Sequence, residues 1–400
     1  MAIGRLDRIS PPVRDRRARI ATAALFLTNG ALFANLLPRY PEIKDDLHLS
    51  NAVYGVAIAA FSGGALIAGL SAATLIRRFR SARVAAVGTI GIAAFIVVAA
   101  MAPSAVVLAA ALFIAGAIDS ITDVAQNAHG LRVQRNYGRS IINSFHAVWS
   151  AGAVLGGAMG AAAIALHIPR TTHLTISAVL FSIVVLAAYP FLLRGPDREE
   201  HPSAPAENWG RPGFAVYATL LALVFIAIAG AAVEDAGSSW ATLYLRDSLG
   251  APGAIAAAGY IALVGSQFVG RLIGDRLVDR FGERAVARVG GLITAAGMGA
   301  ALAYPSVPGT IAGFAAAGLG VSTLIPVAVH AADLLPGLRA GTGLTVVAWL
   351  LRVGSISSPP VIGLIADATS LRVGLLVVPL AGVAAMALAV VLSPQRRSSQ

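Results

Sequence analysis

Residues 194–238 read RGPDREEHPSAPAENWGRPG followed by FAVYATLLALVFIAIAGAAVEDAGS, a charged, proline-bearing stretch and then an apolar run. A bilayer core of ~30 Å is crossed by a helix of ~20 apolar residues, and the second half of the quotation is that long. Read outward in both directions, the chain repeats the pattern. Apolar runs fall at 19–38, 52–76, 84–101, 106–131, 141–166 and 172–193 before the charged stretch. Those at 214–238, 254–275, 285–303, 309–331, 341–365 and 372–392 make up the rest. Helices apolar on every side have no place in a water-soluble fold. The sequence therefore predicts an all-α, multi-pass membrane protein of twelve spans, divided into 1–193, a linker at 194–213, and 214–400.

Composition agrees, with 57% hydrophobic and 12% charged residues and a mean hydropathy of +0.77. Cysteine is absent, which excludes disulfides, thiol catalysis and cysteine-ligated metals, and no metal site is expected. The net charge of +11 would point to nucleic acid in a soluble chain. Here it follows the membrane instead. With the N-terminus inside and the spans alternating, twenty-three of the 30 basic residues fall in cytoplasmic segments. Outside lie Arg39, Lys44, Arg170, Arg246 and Arg372, while Arg271 and Arg352 fall within spans. Cytoplasmic loops retain Lys and Arg, so both termini are expected in the cytoplasm and the arginines are expected to meet anionic lipid rather than nucleic acid. The basic start followed by Ala21 to Leu37 has no convincing cleavage site and reads as an uncleaved first helix.

An internal repeat supports the division. Leu75-Ile76-Arg77-Arg78-Phe79-Arg80, with Val84 and Gly88 after it, returns 202 residues later as Leu277-Val278-Asp279-Arg280-Phe281-Gly282, with Val286 and Gly290. The turn after span 2 thus matches the turn after span 8. Parallel repeats of this kind accompany alternating-access transport, with substrate held near midplane between the repeats.

These turns resemble the hallmark Gly-x-Leu-x-Asp-Arg-x-Gly-x-Arg of the major facilitator superfamily. Leu277, Asp279, Arg280, Phe281, Gly282 and Arg284 fit it, with Asp275 at the first glycine position. In the first copy Arg77 stands where the aspartate belongs and Arg80 where the glycine does. Asp123-Val124-Ala125-Gln126-Asn127, Gly138-Arg139 and Phe145-His146-Ala147-Val148-Trp149-Ser150-Ala151-Gly152 resemble the YbjJ-type branch of bacterial facilitators. So do Gly270 to Arg276, Ser239-Trp240 before Tyr244 to Asp247, and Pro359 to Gly363. That branch is similar to fucose-permease-like carriers. The resemblance implies two six-helix bundles rocking about a cavity lined by spans 1, 4, 7 and 10, with spans 5, 8 and 11 contributing. It also implies a monomer and a gating role for the span 8 turn, through Arg271, Asp275, Asp279, Arg280 and Gly282. The span 5 glycine motif of drug–proton antiporters is absent.

Ionisable residues inside a membrane are expensive and serve transport or assembly. Asp119, Asp123 and Asn127 lie four apart on one face of span 4, with Thr122 and Gln126 flanking. Asp119 and Asp123 are candidates for proton coupling; alternatively Asp123 and Asn127 tie helix ends together with Arg132 or Arg139. Glu234 and Asp235 close span 7, and their adjacency lets only one face a cavity squarely. His146 of span 5 suits a proton relay or a packing hydrogen bond. Arg271 and Asp275 have the spacing of a self-neutralising pair. Arg352 sits near midplane with no acid one turn away on its own helix, so it needs a partner from another helix or an anionic substrate. Trp349, one turn away, offers a stacking surface. Asn127, Asn29, Asn35 and Trp240 complete the substrate-binding candidates. Gly152, Gly156 and Gly160 form a close-packing face.

No nucleophile elbow, zinc-protease helix or phosphate loop is present, so no enzyme is expected. The expectation is a secondary transporter of the bacterial cytoplasmic membrane, moving a small polar or anionic molecule on a proton gradient, with no other cofactor. Export of lipophilic compounds and a transport-inactive receptor or scaffold remain the alternatives.

Overall fold

The computed structural model describes residues 13–137, 141–195, 197, 213–338 and 341–392. Most of the 194–213 linker, the Gly138-Arg139 pair, Arg339, Arg396 and Arg397 lie outside them. Among the described residues, twelve helices are long and apolar enough to cross a membrane. They are α1 (Val13–Asp46), α2 (Asn51–Phe79), α3 (Ser81–Ala100), α4 (Ala105–Tyr137), α5 (Ile142–Ala165) and α6 (Arg170–Phe191). The second half holds α7 (Phe214–Ser248), α8 (Gly253–Phe281), α9 (Glu283–Ala303), α10 (Val307–Asp333), α11 (Thr342–Ala368) and α12 (Leu371–Val391). No strand occurs among the described residues. Val106, Leu186, Leu221, Val289 and Leu380 project outward from the bundle, exposed and apolar. In water such a surface would aggregate; against lipid tails it is the expected exterior.

The packing of the first six helices is reproduced by the second six. In the first half α1 packs on α5 and α6, α2 and α3 pack on α4, and α3 packs on α6. In the second, α7 packs on α11 and α12, α8 and α9 pack on α10, and α9 packs on α12. The contacts between halves obey the same rule: α2 packs on α11 and α5 packs on α8. Each of these pairings thus has a partner six helices later. Small residues allow the closest approaches. Gly152 and Gly156 of α5 lie on the carbonyls of Leu27 and Ala31 of α1, and a methyl group at either would collide with backbone. The glycine face read from the sequence is the seam between α5 and α1.

Several helices run past the expected limits. α1 continues through a tight turn at Leu37–Arg39 to Asp46, so Arg39 and Lys44, read as loop residues, are helical. α4 extends to Tyr137, and α7 continues through a wide turn at Tyr244–Ser248. Hydropathy marks where apolar residues stop, whereas backbone hydrogen bonding continues into the polar zone as long as the sequence tolerates it.

The two membrane faces differ. On the face reached by the α1–α2, α7–α8 and α11–α12 connections, the halves are tied together. Asp45 pairs with Arg246 at 2.6 Å, and the Tyr54 hydroxyl donates to the Ser239 carbonyl at 2.6 Å. The Asp367 carboxylate accepts the backbone N–H groups of Asn51 (2.9 Å) and Ala52 (2.8 Å) at the start of α2. Trp240 stands edge-on to Tyr54, ring centres 4.9 Å apart. Toward the opposite, arginine-bearing face, Asp123 and His146 are exposed, with Arg352 and Arg271 of the other half facing them. The molecule is closed at one face and splayed at the other.

Candidate functional site

Between the halves lies a cavity of about 330 Å3, lined from α1, α2, α4, α5, α7, α8 and α11. The resemblance led to the expectation of α1, α4, α7 and α10 as principal walls. α10 supplies no described lining residue; α2 does, through Ile58, Phe61 and Ser62. The reason is the α2–α11 contact, which brings α2 to the cavity where the closed face begins.

Polar groups on the walls are joined in short relays. Trp149 of α5 donates its indole N–H to Asn29 Oδ1 at 2.8 Å, and Asn29 Nδ2 donates to Asp119 Oδ1 at 2.8 Å. Three helices thereby hold one carboxylate at the cavity wall. One turn further along α4, Asn127 Nδ2 donates to Asp123 Oδ1 at 3.0 Å, and its Oδ1 lies 3.1 Å from His146 Nε2. With the Asn127 amide nitrogen turned to the carboxylate, its oxygen faces the imidazole, so Nε2 carries the His146 proton.

In the second half, Glu234 Oε1 accepts from Gln267 Nε2 and from Arg271 Nη2, the latter at 3.1 Å. Arg271 therefore pairs across to α7 and not with Asp275, which is exposed on α8. Both follow from direction: Arg271 reaches into the cavity, whereas Asp275 is one turn nearer the open face. Glu234 and Asp235 both line the cavity, although adjacency on a helix had led us to expect one of them to turn away. Two walls, α8 and α11, meet α7 here, and each acid faces one. Asp235 turns toward Ser355 of α11, and its Oδ2 is buried without a hydrogen-bond partner among the described residues. Arg352 makes no ion pair or hydrogen bond with a described residue; its charge faces Asp119 and Asp123 from the other half. Trp349 is 45% exposed on the open side.

Two binding candidates lie elsewhere. Asn35 is fully buried, donating to the Ala31 carbonyl at 2.8 Å and receiving His173 Nε2 at 2.9 Å and the Ser177 hydroxyl at 3.1 Å. Arg39, itself buried, donates to His173 Nδ1 at 3.4 Å. Arginine only donates, so Nδ1 accepts and Nε2 bears the proton. This is an α1–α6 clasp under the closed face. Trp240 is 0% exposed and packs in that same closure instead of the cavity. Its size and its place beside Tyr54 make it core.

The span 8 turn places Asp279, Arg280 and Gly282 at the arginine-bearing face, with Arg280 over the Phe281 ring at 5.4 Å. The first-half turn is completed by a residue from outside it. Asp197 accepts the Ser81 backbone N–H and hydroxyl, both at 2.7 Å, and Arg132 at 3.0 Å. Arg132 also holds the carbonyls of Arg194 and Gly195. Arg132 was one expected partner for Asp123 and Asn127; it serves the linker instead. Asp197, Tyr40 and Tyr260 carried no signal that set them apart in the sequence. The Asp45–Arg246 pair was visible only as two charges in separate outside turns.

Residues 22–277 and, again, 264–400 match the model of the Major Facilitator Superfamily. The chain belongs to that superfamily. This facilitator is 32% identical over 361 residues to "Uncharacterized transporter y4wD" of Sinorhizobium fredii, covering 90% of this chain and 93% of that one. It is 28% identical over 384 residues to "Membrane protein MosC" of Rhizobium meliloti, covering 95% and 91%. The nucleoside transporter NupG superposes with a TM-score of 0.72 at 15% identity, covering 95% of this chain and 99% of that one. A bacterial homologue of the human lysosomal transporter Spinster, in an inward-facing and unoccupied conformation, gives 0.73 at 15% identity, covering 95% and 97%. At that identity the likeness is one of fold. The facilitator is a membrane transporter with the superfamily's twelve-helix architecture.

Proposed function

We propose that this facilitator moves a small polar molecule across the bacterial cytoplasmic membrane by alternating access, driven by protons. The observation that carries the reading is the acid-lined cavity between two equivalent halves, tied shut at one face and open at the other. The arginine bias makes the open face cytoplasmic, with both termini on that side, so the conformation is inward-facing. The motif likeness to the YbjJ-type branch stands beside this as a reading of the sequence. Asp119, Asp123, Glu234 and Asp235 are the proton carriers, with His146 bridged to Asp123 through Asn127. Carboxylates facing a cavity of low polarity exchange protons as it opens and closes to water. Arg352, facing Asp119 and Asp123, and Trp349, exposed one turn nearer the cytoplasm, are the residues that meet substrate as it enters or leaves. The working unit is the monomer, since one chain encloses the cavity.

The test is uptake or counterflow into proteoliposomes under an imposed pH gradient. Asp119→Asn, Asp123→Asn and Glu234→Gln are each expected to uncouple transport from the gradient while counterflow persists. Gradient-driven uptake at the wild-type rate in all three variants overturns proton coupling through these acids.

A further inference from the structure

At its closed end the cavity presents polar groups that no described part of the protein satisfies. Tyr40 is 1% exposed and lines the cavity, yet its hydroxyl has no hydrogen-bond partner. Tyr260, 4% exposed, also lines the cavity and is a neighbour of Tyr40. Asp235 adds a buried carboxylate oxygen that is likewise unpartnered. Glu234 beside it is engaged through Oε1 alone. A buried polar group without a partner costs free energy, so a cluster of them at the end of a cavity marks where a ligand completes the bonding.

The chemistry of that ligand follows from what is left over. Phenol protons need acceptors and carboxylate oxygens need donors, on the walls of one cavity of about 330 Å3. A hydroxyl group is both. An ammonium group only donates and leaves the phenol protons unmet. An anion meets Asp119, Glu234 and Asp235, with Arg271 already committed to Glu234. The indole of Trp149 is locked by its bond to Asn29 and lines the same cavity, offering a flat apolar surface to C–H groups. We infer that the closed end is a subsite for a neutral polyhydroxylated molecule, its hydroxyls accepting from Tyr40 and Tyr260 and donating to Asp235 and Glu234. The inference rests on the transport reading for its purpose and narrows the substrate from a polar or anionic molecule to a neutral polyol.

The experiment is isothermal titration of the purified full-length protein in detergent with D-xylose, D-galactose, D-mannitol and uridine, and with gluconate and ethanolamine as charged probes. At least one neutral polyol is expected to bind saturably. Tyr40→Phe and Tyr260→Phe each weaken that binding by about five- to tenfold, since each removes one hydrogen bond to the ligand. Tyr40→Phe does not lower the melting temperature of the ligand-free protein, because the hydroxyl removed had no partner to lose. Binding confined to gluconate or ethanolamine, absence of binding by every polyol, or polyol affinity unchanged in both tyrosine variants overturns the subsite; the last result means that water fills it. Counterflow in proteoliposomes separates this from the parent reading. Counterflow of an anion without polyol binding sinks the subsite and leaves the transporter. Polyol binding without counterflow does the reverse.

Discussion

Arg80 has the backbone of a glycine. Its φ of 73° and ψ of 146° nearly repeat the 82° and 154° of Gly282, its counterpart in the second half. Both residues end one helix and begin the next, and both donate their N–H to the carbonyl four residues back. Arg80 stands where the turn motif has glycine, and the fold keeps the turn and forces the arginine into it. A side chain in this region costs about 1–3 kcal/mol. Arg80→Gly is therefore expected to stabilise the detergent-solubilised protein by about 1 kcal/mol, less than the full strain because glycine gains freedom when unfolded. Arg80→Ala, which keeps a Cβ in the strained region, should gain nothing. Thermal unfolding of the three proteins checks this: equal gains in both variants would place the effect in the guanidinium charge and not the backbone. Asn29 is a second single-residue case, since it alone joins Trp149 to Asp119. Asn29→Ala frees both, and gradient-driven uptake should fall by about thirtyfold, the scale of two lost hydrogen bonds of ~1 kcal/mol each.

The elements themselves were legible in the sequence because every span is apolar all round, a signal that needs no periodicity. What each helix end is held by was not. The first-half turn has Arg77 in place of the acid that the second-half turn carries as Asp279. The missing charge arrives from the linker as Asp197, 116 residues from Ser81 along the chain. No local pattern connects such positions. Burial alone would raise the Asp197 carboxyl; the Ser81 hydroxyl and N–H and the Arg132 guanidinium outweigh it and hold the group below the usual carboxylate range. A depressed folded value means the stabilisation is complete above the unfolded value of ~3.9 and is lost as pH falls through the folded one. Asp197→Asn should thus destabilise the protein by about 1–2 kcal/mol at neutral pH. The gap between wild type and variant should close as pH drops below ~4, read as converging melting temperatures. A gap constant from pH 7 to 3 would mean that packing, not charge, fastens the linker.

At the scale of the molecule, the sequence placed Asp119 on span 4 and Glu234 and Asp235 on span 7, and the fold brings the three to one cavity. It did not place Asn35 or Trp240, because hydrogen-bonding type alone does not say whether a residue faces a cavity or a neighbouring helix. Nor did it foresee the closure, which is built from pairs far apart in the chain: Asp367 with Asn51 and Ala52, Asp45 with Arg246, Tyr54 with Ser239. The alternating access proposed above requires these to break together while contacts form at the arginine-bearing face. Asp367 contributes the most transferable part of the closure, since two charge-assisted bonds to the start of α2 depend on one carboxylate. Removing it should cost the closed state about 1.5–3 kcal/mol, which shifts the population of the opposite conformation by about tenfold or more. The absence of cysteine makes the shift measurable without altering a background thiol. Ser62→Cys places one thiol on the cavity wall. Its labelling by a membrane-impermeant maleimide from the face where Asp367 lies should rise by about tenfold in Asp367→Ala and remain at the parent rate in Asp275→Ala, on the other face. Equal labelling in parent and Asp367→Ala would show that the Asp45–Arg246 and Tyr54–Ser239 contacts hold the face shut without it, and the double variant with Arg246→Ala would then be the one to open.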